Sequence, residues 1–284
     1  MAKKVWVQGP IALDTVVYMS NFPSPGTFVN SIRTEERTGG TSANVVLGLC
    51  TASVETGFVS YLGDDEIGKQ LLKVLEQSLI KDLVITHFDD KTNHTLVLVD
   101  EKSERTIISM TTPHLRELRM DNVPFKANDV VAFILWREEF LEDLTRTQAA
   151  GCLTVVGAGA LADKNVRHAD LVIGSRTDFP VEVDPVDYLD RFTSIVITDG
   201  MQGAVLYSEA SEIRQSAFKV EVKDTTGAGD AFIAGYLAGV AHELTPNQSL
   251  EIAAKWAASA VQSESSVPPA FEVVKEQWAI DLIP

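Results

Sequence analysis

Two cysteines, Cys50 and Cys152, are all that 284 residues contain, and each lies in an apolar stretch without the spacing of a metal-ligand pair. That scarcity argues against a disulfide-stapled secreted fold and against a cysteine-held zinc, and reads both thiols as reduced core residues. No apolar run approaches the ~20 residues a membrane span requires. The opening Met1-Ala2-Lys3-Lys4-Val5-Trp6 moves into a short strand rather than a signal peptide, so a cytoplasmic protein is expected. Positive charge is short as well: 24 Lys and Arg stand against 40 Asp and Glu, a formal net charge of −16. Without a basic stripe the chain cannot neutralise a phosphate backbone, which argues against nucleic acid and for a small-molecule partner. Flexible linkers, repeats and low-complexity tracts are absent too.

What is present is material for one large core, with hydrophobic residues making up 45% of the chain. Strand-like runs at 5–9, 56–61, 130–135, 154–157, 171–173 and 195–198 alternate with helical periodicity at 42–52, 67–77, 138–150, 228–241 and 250–262. This alternation predicts a single layered α/β domain over 1–284 with a mostly parallel sheet covered on both faces. Residues 15–38 and 93–110 break the pattern and read as hairpin or edge strands. In the second of these, 95–99 and 105–109 flank a polar turn at 100–104.

The most informative stretch is Asp224-Thr225-Thr226-Gly227-Ala228-Gly229-Asp230, which leads directly into the apolar run 231–241. The backbone amides of Gly227, Ala228 and Gly229 fall at a helix N-terminus, where unpaired donors and the positive dipole end attract an anion. The glycines are expected to take left-handed angles and let the backbone approach a bulky phosphate. Asp230 sits where it could take a proton from a group attacking phosphorus. A bare glycine turn capped by an acid remains the plain alternative.

The seven residues resemble the DTxGAGD signature of the ribokinase family, the PfkB carbohydrate kinases. Gly39-Gly40-Thr41-Ser42-Ala43-Asn44 resembles the family's N-terminal double-glycine motif, and Gly63-Asp64-Asp65-Glu66-Ile67-Gly68 its GxDxxG turn. The resemblance runs from about Gly9 to about Val261. It implies a ribokinase-like three-layer fold with a small β lid built from about 15–38 and 93–110. It also implies an ATP-dependent phosphotransferase using Mg²⁺, leaves room for a monovalent cation, and raises a homodimer formed through the lid.

Residue by residue, the resemblance makes Asp230 the catalytic base and Gly227, Ala228 and Gly229 the anion hole. Asp14, placed here at the carboxyl end of the opening strand, matches the substrate aspartate, although an Asp after a strand is commonly a turn residue. Asn44, Gly39 and Gly40 match further hydroxyl contacts, where an isolated Asn would read as a helix cap. Arg105 resembles a lid arginine of the ketohexokinase branch, against the plain reading of a solvated strand residue. On the nucleotide side, Thr198, Gly200 and Gly203 of Thr198-Asp199-Gly200-Met201-Gln202-Gly203 match a TxGxxG turn, joined by Thr225. Two positions depart from the family. Ser175-Arg176-Thr177-Asp178 stands where Asn-x-x-Glu organises Mg²⁺, leaving Asp178 to act through water, and Lys255 stands where many members have Asn.

A ketohexose or pentose is the expected acceptor. A nucleoside kinase of the same family would need aromatic walls, for which Phe22, Phe28 and Trp136 are candidates, and a non-catalytic sugar sensor is the alternative from another class. For a phosphorylated acceptor the available cations are Arg33, read as facing solvent, Arg37, read as bracing the turn into Gly39, Arg105 and Arg137.

Overall fold

The computed structural model describes residues 2–101, 104–111, 118–179 and 184–284. Its core strands are β1 (Val5–Gln8), β4 (Thr56–Gly63), β5 (Asp82–Phe88), β8 (Val130–Phe133), β9 (Leu153–Gly157), β10 (Ala169–Ser175), β11 (Phe192–Thr198), β12 (Ala204–Ser208) and β13 (Glu212–Gln215). Among the described residues these form one sheet in the order β13-β12-β11-β10-β9-β8-β1-β4-β5. The pairings from β11 to β5 are parallel, and β12 and β13 add an antiparallel edge.

Parallel strands joined by helices are covered on both faces, and the sequence shows it: β1, β4 and β8 are buried at every position. Alternate side chains feed two cores. Val5, Val7 and Phe58 pack under α1 (Thr41–Leu49), α4 (Ala228–Ala241) and α5 (Pro246–Ala260), while Trp6, Val59 and Phe133 belong to the opposite core with Phe140 and Leu144. Leu144 lies on α3 (Leu141–Ala149). The remaining helices are α2 (Glu66–Glu76) and α6 (Phe271–Trp278).

A second sheet stands apart from the first: β2 (Ala12–Tyr18), β3 (Arg33–Gly39), β6 (His94–Val99) and β7 (Arg105–Ser109), in the order β3-β2-β6-β7. β2 and β6 run parallel, and the outer pairs are antiparallel. These strands fall largely within 15–38 and 93–110, the segments expected to form hairpin or edge strands and a lid, with two corrections. Only the ends of the first segment are strands, because the Pro- and Gly-containing 19–32 stretch lacks a ladder. Asp14 lies inside β2 rather than at the end of β1, since the chain leaves the core sheet at Gln8 and pairs with β3 from Ala12 onward.

Three strands and a helix escaped the periodicity. β5 is half-buried along nearly its whole length, and β12 and β13 are only five and four residues long, too short for a period to stand out. α6 occupies the segment that no motif anchored. α5 begins four residues before position 250, because Thr245 and Gln248 form a capping box with Pro246 in the first turn. The predicted helix 138–150 opens as a 3-10 turn, Glu138–Phe140, before α3. Of the polar turn at 100–104, residues 102 and 103 lie outside the described residues.

Candidate active site

The Asp224–Asp230 string folds as a loop that ends in the first turn of α4, with Gly227 at the N-cap in the left-handed region, φ 77°. A β-carbon at Gly227 would fall 2.3 Å from the Ser266 carbonyl oxygen, so glycine is demanded there twice over. Gly229 differs from expectation: its φ is not left-handed, and a β-carbon would meet nothing within 4 Å. Its freedom is therefore space held open on the outer side of the helix end. The Ala228 amide makes a long 3.3 Å bond to the Thr225 carbonyl, and the amides of this first turn lie beyond the reach of intrahelical acceptors.

Asp230 lies half-buried on that turn. Asn44 Nδ2 donates to its Oδ2 at 2.8 Å. Burial pushes the Asp230 carboxyl up to about 7, and the nearby Asp14 charge adds to the shift. Hydrogen bonds from Asn44 and Thr41 and the positive Arg105 work in the opposite direction. Asn44 and Thr41 belong to α1, so two helix N-termini meet at one carboxylate. The Oδ1 of Asn44 is buried and has no partner among the described residues, an acceptor suited to a ligand hydroxyl.

Asp14 reaches the same place from the lid. Burial raises its carboxyl to about 6, against a hydrogen bond from Thr95 and the charge of Arg37. Gly39 makes room for it, since a β-carbon there would lie 2.0 Å from Asp14 Oδ2. Gly40, φ 92°, caps α1 and brings Thr41 and Asn44 toward Asp230. Arg105 extends from exposed β7 across the opening, with Nη1 3.3 Å from the Thr226 hydroxyl. Its charge thus acts on Asp230 at the start of α4.

The residues expected on the nucleotide side lie farther along the same edge of the sheet. Thr198 ends β11 in register with Ser175 of β10, which sets the turn at 198–203 beside the 3-10 turn Arg176–Asp178 at the carboxyl ends of parallel strands. Gly203 closes its turn at φ 92°, Gly200 at φ 48°. Thr225 precedes Gly227 in the loop and lines the same groove as Arg105 and Thr226. Asp178 Oδ2 accepts from the Ser175 amide at 3.0 Å. Lys255 is only 16% exposed, bonded to Glu251 at 2.7 Å with its ammonium over the Phe218 ring.

The described residues contain no group of three or more His, Cys, Asp or Glu side chains able to hold a metal ion. The pfkB family carbohydrate kinase pattern matches residues 3–271. The chain belongs to the PfkB family of carbohydrate kinases. Its relatives include a nucleoside kinase of Methanocaldococcus jannaschii, 23% identical over 256 residues, covering 83% of this chain and 82% of that protein. A fructokinase of Escherichia coli is 23% identical over 284 residues, covering 84% and 85%. The crystal structure of Thermotoga maritima ribokinase superposes with a TM-score of 0.83 at 20% identity, covering 98% of this chain and 100% of that one, and gives the PfkB chain its ribokinase-like fold. This PfkB protein is accordingly a phosphotransferase with an alcohol acceptor, a sugar or nucleoside kinase.

Sequence reasoning about this kinase overlooked Thr41 and Thr95, which bond the two carboxylates, and Asp224, whose partner is Arg37. Thr41 had a signal, its place between Gly40 and Asn44, whereas Thr95 and Arg37 join the site only through lid pairing. Arg33 is exposed as expected, lying over the Tyr18 ring and pairing with Glu264 at 2.7 Å, whereas the reading of Arg37 is corrected: it is largely buried in ion pairs with Glu35 and Asp224. Of the aromatic wall, Trp136 is core, bonded to Asp163, and Phe28 is 87% exposed.

Proposed function

We propose that this kinase transfers the γ-phosphoryl group of ATP to a hydroxyl of a free monosaccharide, a ketohexose such as fructose first and a pentose such as ribose second. The observation that carries the reading is Asp230: a carboxylate raised to about 7 at the open N-terminus of α4, held by Asn44. A group poised near neutrality takes the acceptor proton and returns it to water at working pH. The amides of Gly227, Ala228 and Gly229 face the charge that develops on the transferring group, and Asp14 with the unpartnered Asn44 Oδ1 orients the sugar hydroxyls. Thr198, Gly200, Gly203, Thr225 and Lys255 form the nucleotide side.

Mg²⁺ fits a site without a carboxylate cage when phosphate oxygens and water supply most of its ligands, with Asp178 reached through water. Bound there, it neutralises charge on the phosphates. A free rather than phosphorylated sugar follows from how the arginines are used, because Arg33 and Arg37 are already paired with carboxylates. A net charge of −16 also gives a second dianion no help on approach.

Two other readings weaken on particular grounds. A nucleoside acceptor is suggested by the archaeal relative, but Trp136 is packed away from any such wall. A binding-only sensor has no use for a carboxylate that burial resists ionising. Release of ADP from MgATP across fructose, ribose, their phosphates and a set of nucleosides separates these readings. Turnover of fructose or ribose is expected. A hundredfold kcat/KM advantage for a phosphosugar or a nucleoside, about 2.7 kcal/mol, overturns the acceptor, and no turnover with any of them overturns the kinase.

A further inference from the structure

We infer that Arg37 is a positioning residue that ties the lid to the phosphate loop, so that sugar and nucleotide bind as coupled partners. Arg37 stands on β3 directly opposite Asp14 on β2, and its charge acts on that carboxylate. Its side chain is 10% exposed. Nη1 reaches Asp224 Oδ2 at 3.1 Å, while Nη2 donates to the Tyr18 hydroxyl at 2.6 Å and pairs with Glu35.

Asp224 passes the connection on. Its Oδ1 accepts from the Thr226 amide at 2.8 Å, immediately before the left-handed Gly227. Burial would raise this carboxyl, yet the Thr226 bonds and Arg37 outweigh it and hold Asp224 below the usual carboxylate range. A planar guanidinium can satisfy several oxygens in fixed directions, which a flexible ammonium cannot.

A second tie runs beside the first. Ser266 Oγ donates to the carbonyl of Thr38, the residue after Arg37, at 2.7 Å, and the Ser266 carbonyl is the group that backs Gly227. The end of β3 is therefore bonded to the loop before α4 through Arg37 and Asp224, and through Thr38 to Ser266, whose backbone lies against Gly227, with Asp14 on one side and the amides of the helix start on the other. A shift of the lid strand moves the loop. Such a link makes each substrate tighten the other, and the tightening is reciprocal.

This inference rests on the kinase reading, so the parent protein is assayed first; absence of turnover there sinks that reading alone. With the best sugar of the panel, Arg37→Met and Asp224→Asn are each expected to lower kcat about tenfold or more, as misplaced reacting groups do. In both, the sugar KM should no longer differ between low and saturating ATP, a loss that mere instability would not produce. The double variant should be no worse than the poorer single one, and Arg37→Lys should recover only part of the loss. Multiplying defects, or an Arg37→Met enzyme within threefold of the parent with its coupling intact, overturns the proposal. Hydrogen exchange over 224–230 supplies a readout that needs no turnover: Asp224→Asn and Arg37→Lys should exchange faster there than the parent, and unchanged exchange overturns the tie even if Arg37→Met does not fold.

Discussion

Asp230 carries two consequences of being a carboxylate that resists ionisation. As the base, it is active when deprotonated, so kcat/KM should rise with unit slope and level off above about pH 7. Asp230→Asn should lose about 10²-fold or more of that rate while still binding nucleotide; a variant keeping more than about a tenth of the parent rate contradicts the assignment. Stability runs the other way. The folded-state value lies above the ordinary 3.8, so the favourable contribution is complete below 3.8 and is lost as pH climbs through about 7. In thermal melts, Asp230→Asn should match its parent near pH 4 and exceed it increasingly up to pH 7. Equal melting curves at pH 8 would contradict the burial argument. Asp14 provides an independent check, because its negative charge helps to raise Asp230. Asp14→Asn should move the pH–rate midpoint toward acid and raise the sugar KM far more than the ATP KM, and a midpoint that stays put would place the two carboxylates too far apart to interact.

The N-terminus of α4 separates two roles that one glycine-rich string merges. At Gly227 a side chain collides with the Ser266 backbone and the φ of 77° disfavours any L-residue, so Gly227→Ala should destabilise the protein as well as inactivate it. At Gly229 there is open space and an ordinary φ. Gly229→Ala should therefore fold with an unchanged melting temperature and act only on what enters the loop, raising the ATP KM or lowering kcat at least about tenfold. A soluble Gly229→Ala enzyme with parental kinetics would show that no phosphate approaches that position. The lid is an element of a different kind. Its outer strand β7 is exposed at every residue, yet it brings Arg105 to the mouth of the site, so the lid's contribution lies in where it places charge rather than in its own packing.

Across the whole molecule, the lid is also where apolar surface remains uncovered. Ile107 is 62% exposed, Ile108 45% and Met110 55%, on and just after a strand at the sheet's edge, and Ile32 at 63% extends the exposed set on the other side. An open strand edge can pair with another chain, and exposed apolar patches mark interaction surfaces. The expected occupant is a second copy of this lid, giving a homodimer. Light scattering should report twice the chain mass for the parent and the single mass for Ile107→Lys/Ile108→Lys, and a monomeric parent at tens of micromolar removes the dimer.

The sequence alone determined the layered α/β architecture, because buried parallel strands and amphipathic helices write their periods directly into the chain. It also determined the glycine-rich loop that opens α4, since Gly227, Gly229 and Asp230 are adjacent along the backbone and a helix N-terminus is a local device. What lay beyond it were contacts between distant segments. Asn44 meets Asp230 across 186 positions and Arg37 meets Asp224 across 187, through the packing of α1 on α4 and the placing of β3 over the loop. The strands β5, β12 and β13 were hidden because β5 is half-buried along nearly its whole length and β12 and β13 are too short to write a period into the chain. Only the tertiary structure decided that Asp14 lies in the second sheet, that Gly227 rather than Gly229 bears the left-handed turn, and that burial raises the Asp230 carboxyl to about 7, because desolvation and register are properties of what surrounds a residue and not of its neighbours in sequence.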